Sequence, residues 1–193
     1  MDPSGHAAIP CPEKDAAIQS LMDQGLSKRK AKNRYEQLRK TGLSPSDVLD
    51  HVTGKSNAPI YLDAYGYMKS KVNGQAHHLN QDAAFKGVIP KNSGLCIELD
   101  GNAFIDIDSG HYKAHKSMEK FWDQYRKGGS KHGQYVSIAD YNKALYNSLV
   151  DAGVPKQKAL YAVRRAYEQQ KYYGLKNNSY VPNIPGKINQ RKG

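Results

Sequence analysis

Four of the seven histidines fall in two tight groups, His77-His78 and His111-His115. Near neutral pH a neutral imidazole can ligate a divalent cation, and it can also take or give a proton. His111 and His115 are four residues apart, and at the start of a helix that spacing puts both rings on one side, one turn apart, as metal-binding helices do. If His77 joins them, a divalent cation has three nitrogen donors and open positions for water and a phosphate oxygen. His78 is then free to act as the base that takes a proton from the attacking water. Neighbouring strand residues point to opposite faces, so His77 and His78 serve one site only if the strand ends there. Packing is the competing role for the helical pair, which runs into the apolar stripe of Met118 and Trp122. His6, His51 and His132 fall in predicted loops or at helix ends and receive no role.

These side chains need a strand, a second strand and a helix to hold them. Leu95-Cys96-Ile97-Glu98-Leu99 and Ala103-Phe104-Ile105-Asp106-Ile107 read as β-rich runs joined by Asp100-Gly101-Asn102, whose Asp-Gly favours a tight hairpin. Helical spacing returns from Ser109 to Arg126, with Met118, Phe121, Trp122 and Tyr125 on one apolar face. Asp106 and Asp108 stand close before the helix and could replace one histidine as a ligand.

Outside this middle the chain reads as helical arms. Short helices are expected over Glu13–Gly25, Lys28–Lys40 and from Ser44-Pro45 to Gly54. Ser20–Ala31 reappears as Ser148–Ala159 with seven of twelve positions identical, each copy ending one helix at Gly and starting the next at Ser or Pro. From Leu175 the chain reads as an extended or disordered basic tail, lying on nucleic acid or simply solvated.

The 193 residues carry a net charge of +11, and residues 128–193 hold 11 basic and 3 acidic side chains. A basic lobe beside a nearly neutral middle suits a phosphate-backbone binder, and equally a protein kept soluble by charge. With 38% hydrophobic residues the chain can bury a core, which excludes a wholly disordered protein. No run approaches the roughly 18 apolar residues of a membrane span, and the N-terminus lacks the pattern of an export signal. Cys11 and Cys96 lie far apart without CxxC partners and read as free thiols, one of them buried. No HExxH or GxSxG occurs to support a peptidase or lipase.

Gln75-Ala76-His77-His78-Leu79, a loop, strands, and Ser109-Gly110-His111-Tyr112-Lys113-Ala114-His115 resemble the ββα-metal core of the HNH/endonuclease VII superfamily. The Ala-His-His triplet is closest to its AHH-type toxin nucleases, and the HxxxH helix is similar to that of the nuclease colicins. The resemblance spans residues 74–126 and implies His78 as the general base and His77, His111 and His115 as ligands of one divalent ion, with Mg, Mn, Ni and Zn all open. It also implies a supporting asparagine between them, for which Asn80, Asn92 and Asn102 are all open. Asp2-Pro3-Ser4-Gly5 also resembles the DPxG signature of Rhs and related polymorphic toxins, although His6 departs from the usual Leu. Together the two imply a toxin domain carried by an Rhs-like parent, exported in interbacterial competition such as type VI secretion. It would act in the target-cell cytoplasm, and an acidic immunity protein would protect the producer.

The expected architecture is α+β: an N-terminal helical arm over 1–57, a ββα-metal nuclease core over 58–127, a basic helical arm over 128–174 and an extended tail over 175–193. The expected activity is metal-dependent hydrolysis of nucleic acid, DNA with little sequence preference. Lys113, Lys116 and Arg126, with Arg164, Arg165 and Lys171, are candidate phosphate contacts. Two alternatives remain: a non-enzymatic DNA-binding module with structural histidines, and a metal-independent ribonuclease pairing His78 with His111.

Overall fold

The structure is a computed structural model, described over residues 11–190. The Asp2–Gly5 signature and His6 lie outside those residues. The fold is α+β, as expected, and the described residues divide into two compact units, residues 11–39 with 43–57 and residues 40–42 with 58–190. No helix among the described residues is long and apolar enough to cross a membrane. Cys11 and Cys96 are free, and Cys96 is buried.

The first unit is three helices, α1 (Pro12–Asp23), α2 (Lys28–Arg39) and α3 (Pro45–Val52). Ser44 caps α3 in a reciprocal capping box with Asp47, the arrangement its Ser-Pro start suggests. Ala17, Ile18, Leu21, Ala31, Tyr35, Leu38 and Val48 form its small core, drawn from one face of each helix.

The second unit contains β1 (Leu62–Ala64), α4 (Tyr65–Met68), β2 (Gln75–His78), α5 (Asp82–Phe85), β3 (Leu95–Leu99), α6 (Gly110–Asp123), α7 (Ile138–Asp151) and α8 (Lys156–Tyr172). β3 is the central strand, antiparallel to β1 on one side and β2 on the other. That corrects the expected strand at Ala103–Ile107, because both edges of β3 are already paired. The segment instead forms turns: Asn102 N donates to Asp106 Oδ2 at 2.7 Å, and Phe104 N donates to Asn102 Oδ1 at 2.8 Å. These local side-chain bonds take the backbone donors that a ladder would need.

Residues 128–190 share one core and one compact unit with 58–127. Trp122 is fully buried and gives its indole N–H to Gln81 Oε1 at 2.6 Å. Buried Tyr141, on α7, donates its hydroxyl to Leu79 O at 2.6 Å and accepts from Gln81 N at 2.9 Å. Gln169, on α8, has four partners: Oε1 accepts from Leu95 N and Asn80 Nδ2, and Nε2 donates to Lys40 O and Ser93 O.

The tail is extended but not simply solvated. Val181 is buried and donates to Val136 O, and Asn183 N donates to Ala84 O. Further along, Ile188 N bonds Glu119 Oε2 and Gln190 Nε2 bonds the carbonyls of Ala103 and Tyr112.

Candidate metal centre

His77 and His78 are the last residues of β2, paired in register with Ile97 and Cys96. Beyond them the chain is pinned by Leu79 N to Leu95 O, by Tyr141 and by the Asn80 amide, so the strand end cannot drift. The start of α6 is fixed just as firmly. Ser109 caps it by accepting from Tyr112 N, while Asp100, directly after β3, accepts from Gly110 N through Oδ1 and from His111 N through its carbonyl. β2, β3 and α6 thus follow one another in chain order, and they bring the two histidine pairs into one cavity of about 440 Å³.

His77, His111 and His115 each offer a ring nitrogen, and these atoms all lie within 4.8 Å of one another, close enough to hold a metal ion. Ring centroids are 5.1 Å apart for His77 and His111, 5.0 Å for His77 and His115, and 4.9 Å for His111 and His115. His77 is 2% exposed and His111 6% exposed. Both ring nitrogens of His77 and Nδ1 of His111 are buried without a hydrogen-bond partner. Each such orphan costs about 1–3 kcal/mol, and coordination through one nitrogen of each ring relieves part of that penalty. The residues present therefore fit a metal.

Electrostatics favour the same form. Burial pushes the His77 pKa well below its ordinary value, and the nearby His115 and His111 lower it further. Burial and then His111 push His115 down to about 4. His111 is also lowered by burial, with the Gly101 carbonyl and Asp100 opposing. Desolvation disfavours the imidazolium, so the three rings are kept in the neutral state that coordinates metal.

His78 turns to different partners. Its Nε2 lies 3.2 Å from Lys91 O, its ring stacks on Tyr65 at 4.4 Å between centroids, and Gly94 packs against its edge. A Cβ at Gly94 would fall 2.5 Å from His78 Cδ2, so the bare glycine makes room for the ring. Burial lowers the His78 pKa, against the Lys91 carbonyl and Asp82, which raise it. A ring that donates Nε2–H to a carbonyl keeps Nδ1 as its acceptor.

None of the three asparagines lines the cavity. Asn80 is buried in the amide network with Gln169 and Gln170, Asn102 caps the turn, and the Lys91 carbonyl is the group that engages His78. Asp106 is committed to Asn102 N, and Asp108 is exposed outside the histidine cluster.

The basic candidates fare unevenly. The Arg126 guanidinium bonds Glu119, Asp123 and the carbonyls of Pro185 and Gly186, which clamps the tail to α6. Lys171 is paired with Glu168 at 2.7 Å. Lys113 and Lys116 are exposed on α6 but do not line the cavity, and neither do Arg164 and Arg165. The basic residue that does line it is Lys91, with Nζ 5.6 Å from the Tyr65 ring centre. Sequence reading missed it, along with Tyr65, because neither belongs to a periodic pattern. Pro185, Gly186 and Ile188 of the tail form another part of the wall.

No family model, curated protein or solved structure matches this chain.

Proposed function

We propose that residues 58–190 form a divalent-metal-dependent endonuclease that hydrolyses phosphodiester bonds. One observation carries the reading: three clustered histidines, two of them buried with unpaired ring nitrogens, share a cavity with a fourth histidine oriented by separate partners. Bound by His77, His111 and His115, a divalent cation would neutralise charge developing on the scissile phosphate. The all-imidazole donor set favours Ni or Zn over Mg among the ions considered. His78, neutral and hydrogen-bonded through Nε2, takes the proton of the attacking water at Nδ1. The Lys91 carbonyl and the Tyr65 ring hold that imidazole in one orientation, and the Lys91 ammonium supplies positive charge at the cavity wall.

The chain order of β2, β3 and α6, with the His-His pair ending β2 and the HxxxH pair opening α6, supports a ββα-metal reading. The net charge of +11 suits an anionic polymer, and DNA is the proposed substrate. The resemblance extends the proposal to a toxin domain of an Rhs-like parent, delivered into competing bacteria and neutralised in the producer by an acidic immunity protein.

The test is cleavage of supercoiled plasmid with Mg²⁺, Mn²⁺, Ni²⁺ or Zn²⁺ and with EDTA, using wild type and His78→Ala. The expected result is metal-dependent nicking that disappears in His78→Ala while DNA binding persists. Plasmid and RNA both left intact under every metal would overturn the reading, and RNA cleavage that survives EDTA would replace it with the metal-independent ribonuclease.

A further inference from the structure

The loop between β3 and α6 leaves two large apolar side chains in water beside the histidines. Phe104 is 48% exposed and lines the cavity, and Ile105 next to it is 58% exposed. The same unit buries Trp122, Phe85 and Met118 completely or nearly so, and it does not bury Phe104. Contiguous exposed apolar surface beside a cavity is a feature of ligand-binding grooves. The Phe104 ring centroid is 6.4 Å from that of His115, with the planes inclined by 34°. That separation is on the scale of one nucleotide, from its phosphate to its base. Phe104 is also preorganised, because its N–H is held by Asn102 Oδ1 and the turn is closed by Asp106 N to Asn102 O.

Resting on the nuclease reading, we infer that Phe104 is a stacking platform for an unpaired nucleobase beside the scissile phosphate, which makes single-stranded or unpaired nucleic acid the preferred substrate. An aromatic side chain stacks on a base only where the base face is free, and in a continuous duplex both faces are covered by neighbouring pairs. The four histidines also lie inside a cavity, His77 and His111 buried and His78 and His115 half-buried, walled by Tyr65 and Lys91 and by Pro185 and Ile188. A flexible single strand can bend its backbone into that space and lay a base on Phe104. Stacking is tolerant of base identity, so the platform selects strandedness and leaves sequence unread.

The test is fluorescence anisotropy of the full chain in EDTA, which reads binding without cleavage. The probes are a short labelled single strand and a hairpin duplex of matching sequence. Wild type is expected to bind the single strand more tightly. Phe104→Ala lowers that affinity roughly tenfold and leaves duplex binding nearly unchanged. Phe104→Trp, which keeps a stacking face, retains the preference, while Phe104→Leu, apolar without one, behaves as the alanine variant. Unchanged single-strand affinity in Phe104→Ala, retention by Phe104→Leu, or a wild-type preference for duplex would overturn the platform while leaving metal-dependent cleavage standing. A wild type that binds neither probe, and leaves both uncut when Zn²⁺ or Ni²⁺ replaces EDTA, would overturn the nuclease reading and the platform with it.

Discussion

The α1–α2 hairpin and the α7–α8 hairpin are built from the same twelve-residue pattern, and the chain uses them differently. In the first, Gly25 N bonds Met22 O at 2.9 Å and Leu26 N bonds Leu21 O at 3.2 Å. In the second, Gly153 N bonds Val150 O at 2.9 Å and Val154 N bonds Leu149 O at 3.0 Å. Both are Schellman closures with a left-handed glycine, φ 93° at Gly25 and 87° at Gly153. The next helices begin alike, with Ala31 N on Ser27 O and Ala159 N on Pro155 O. They diverge where they end. α2 has 12 residues and α8 has 17, and the added length carries Gln169 and Gln170, both fully buried. The repeat therefore specifies a turn and two helix directions, and the connection to the metal centre comes from residues beyond it.

The largest expected effects come from cutting one buried side chain in each hairpin. Gln169→Ala removes a partner from Leu95 N, Asn80 Nδ2, Lys40 O and Ser93 O at once, and leaving such groups unsatisfied costs about 3–5 kcal/mol. Leu38→Ala in α2 removes apolar contact from the smaller core and costs about 2–5 kcal/mol. Denaturant unfolding is expected to show both losses, while metal affinity separates them: Gln169→Ala weakens it by loosening the end of β2, and Leu38→Ala leaves it unchanged. Equal losses of metal affinity would erase the proposed division between the hairpins.

Much of this was legible in the sequence, and the reason is periodicity. The Gly25 and Gly153 stops, the Met118-Trp122-Tyr125 stripe and the His111-His115 spacing are all set by helical geometry, and the structure brings His77, His111 and His115 together. Ala103–Ile107 misled because its apolar, β-rich run matched a strand, while Asn102 and Asp106 hydrogen-bond their own turn and β3 has no free edge. Lys91, Tyr65 and the Asn80-Gln169-Gln170 network were illegible for another reason: their partners are distant in sequence, and an amide or a lone lysine has no period to announce a tertiary contact. Arg126 shows the converse, a basic residue whose charge suggested phosphate and whose contacts are an internal clamp on the tail.

Metal addition sharpens the comparison from the other side. A ligand that binds only the folded state stabilises it by about 2.7 kcal/mol at one hundred times its dissociation constant. Zn²⁺ or Ni²⁺ is expected to raise the melting transition of residues 58–190 and to leave that of the α1–α3 unit in place, followed by calorimetry with and without EDTA. His77→Ala removes a buried donor whose two nitrogens have no other partner, so it should abolish the shift. Stabilisation of both transitions, or of a His77→Ala protein as strongly as wild type, would place the metal elsewhere.

The smallest effect tests the likeness itself. Gly25→Ala and Gly153→Ala each put a Cβ on a left-handed residue, and at neither position does that Cβ meet another atom within 4 Å. With no clash to relieve, the cost is the backbone strain alone, about 1 kcal/mol at each site. The two variants should therefore lose the same stability, each in its own unfolding transition, with the metal-induced shift intact in both. A loss at Gly153 several times that at Gly25 would mean that the second turn carries load for the metal centre. The repeat would then have been adapted at its turn as well as at the end of α8.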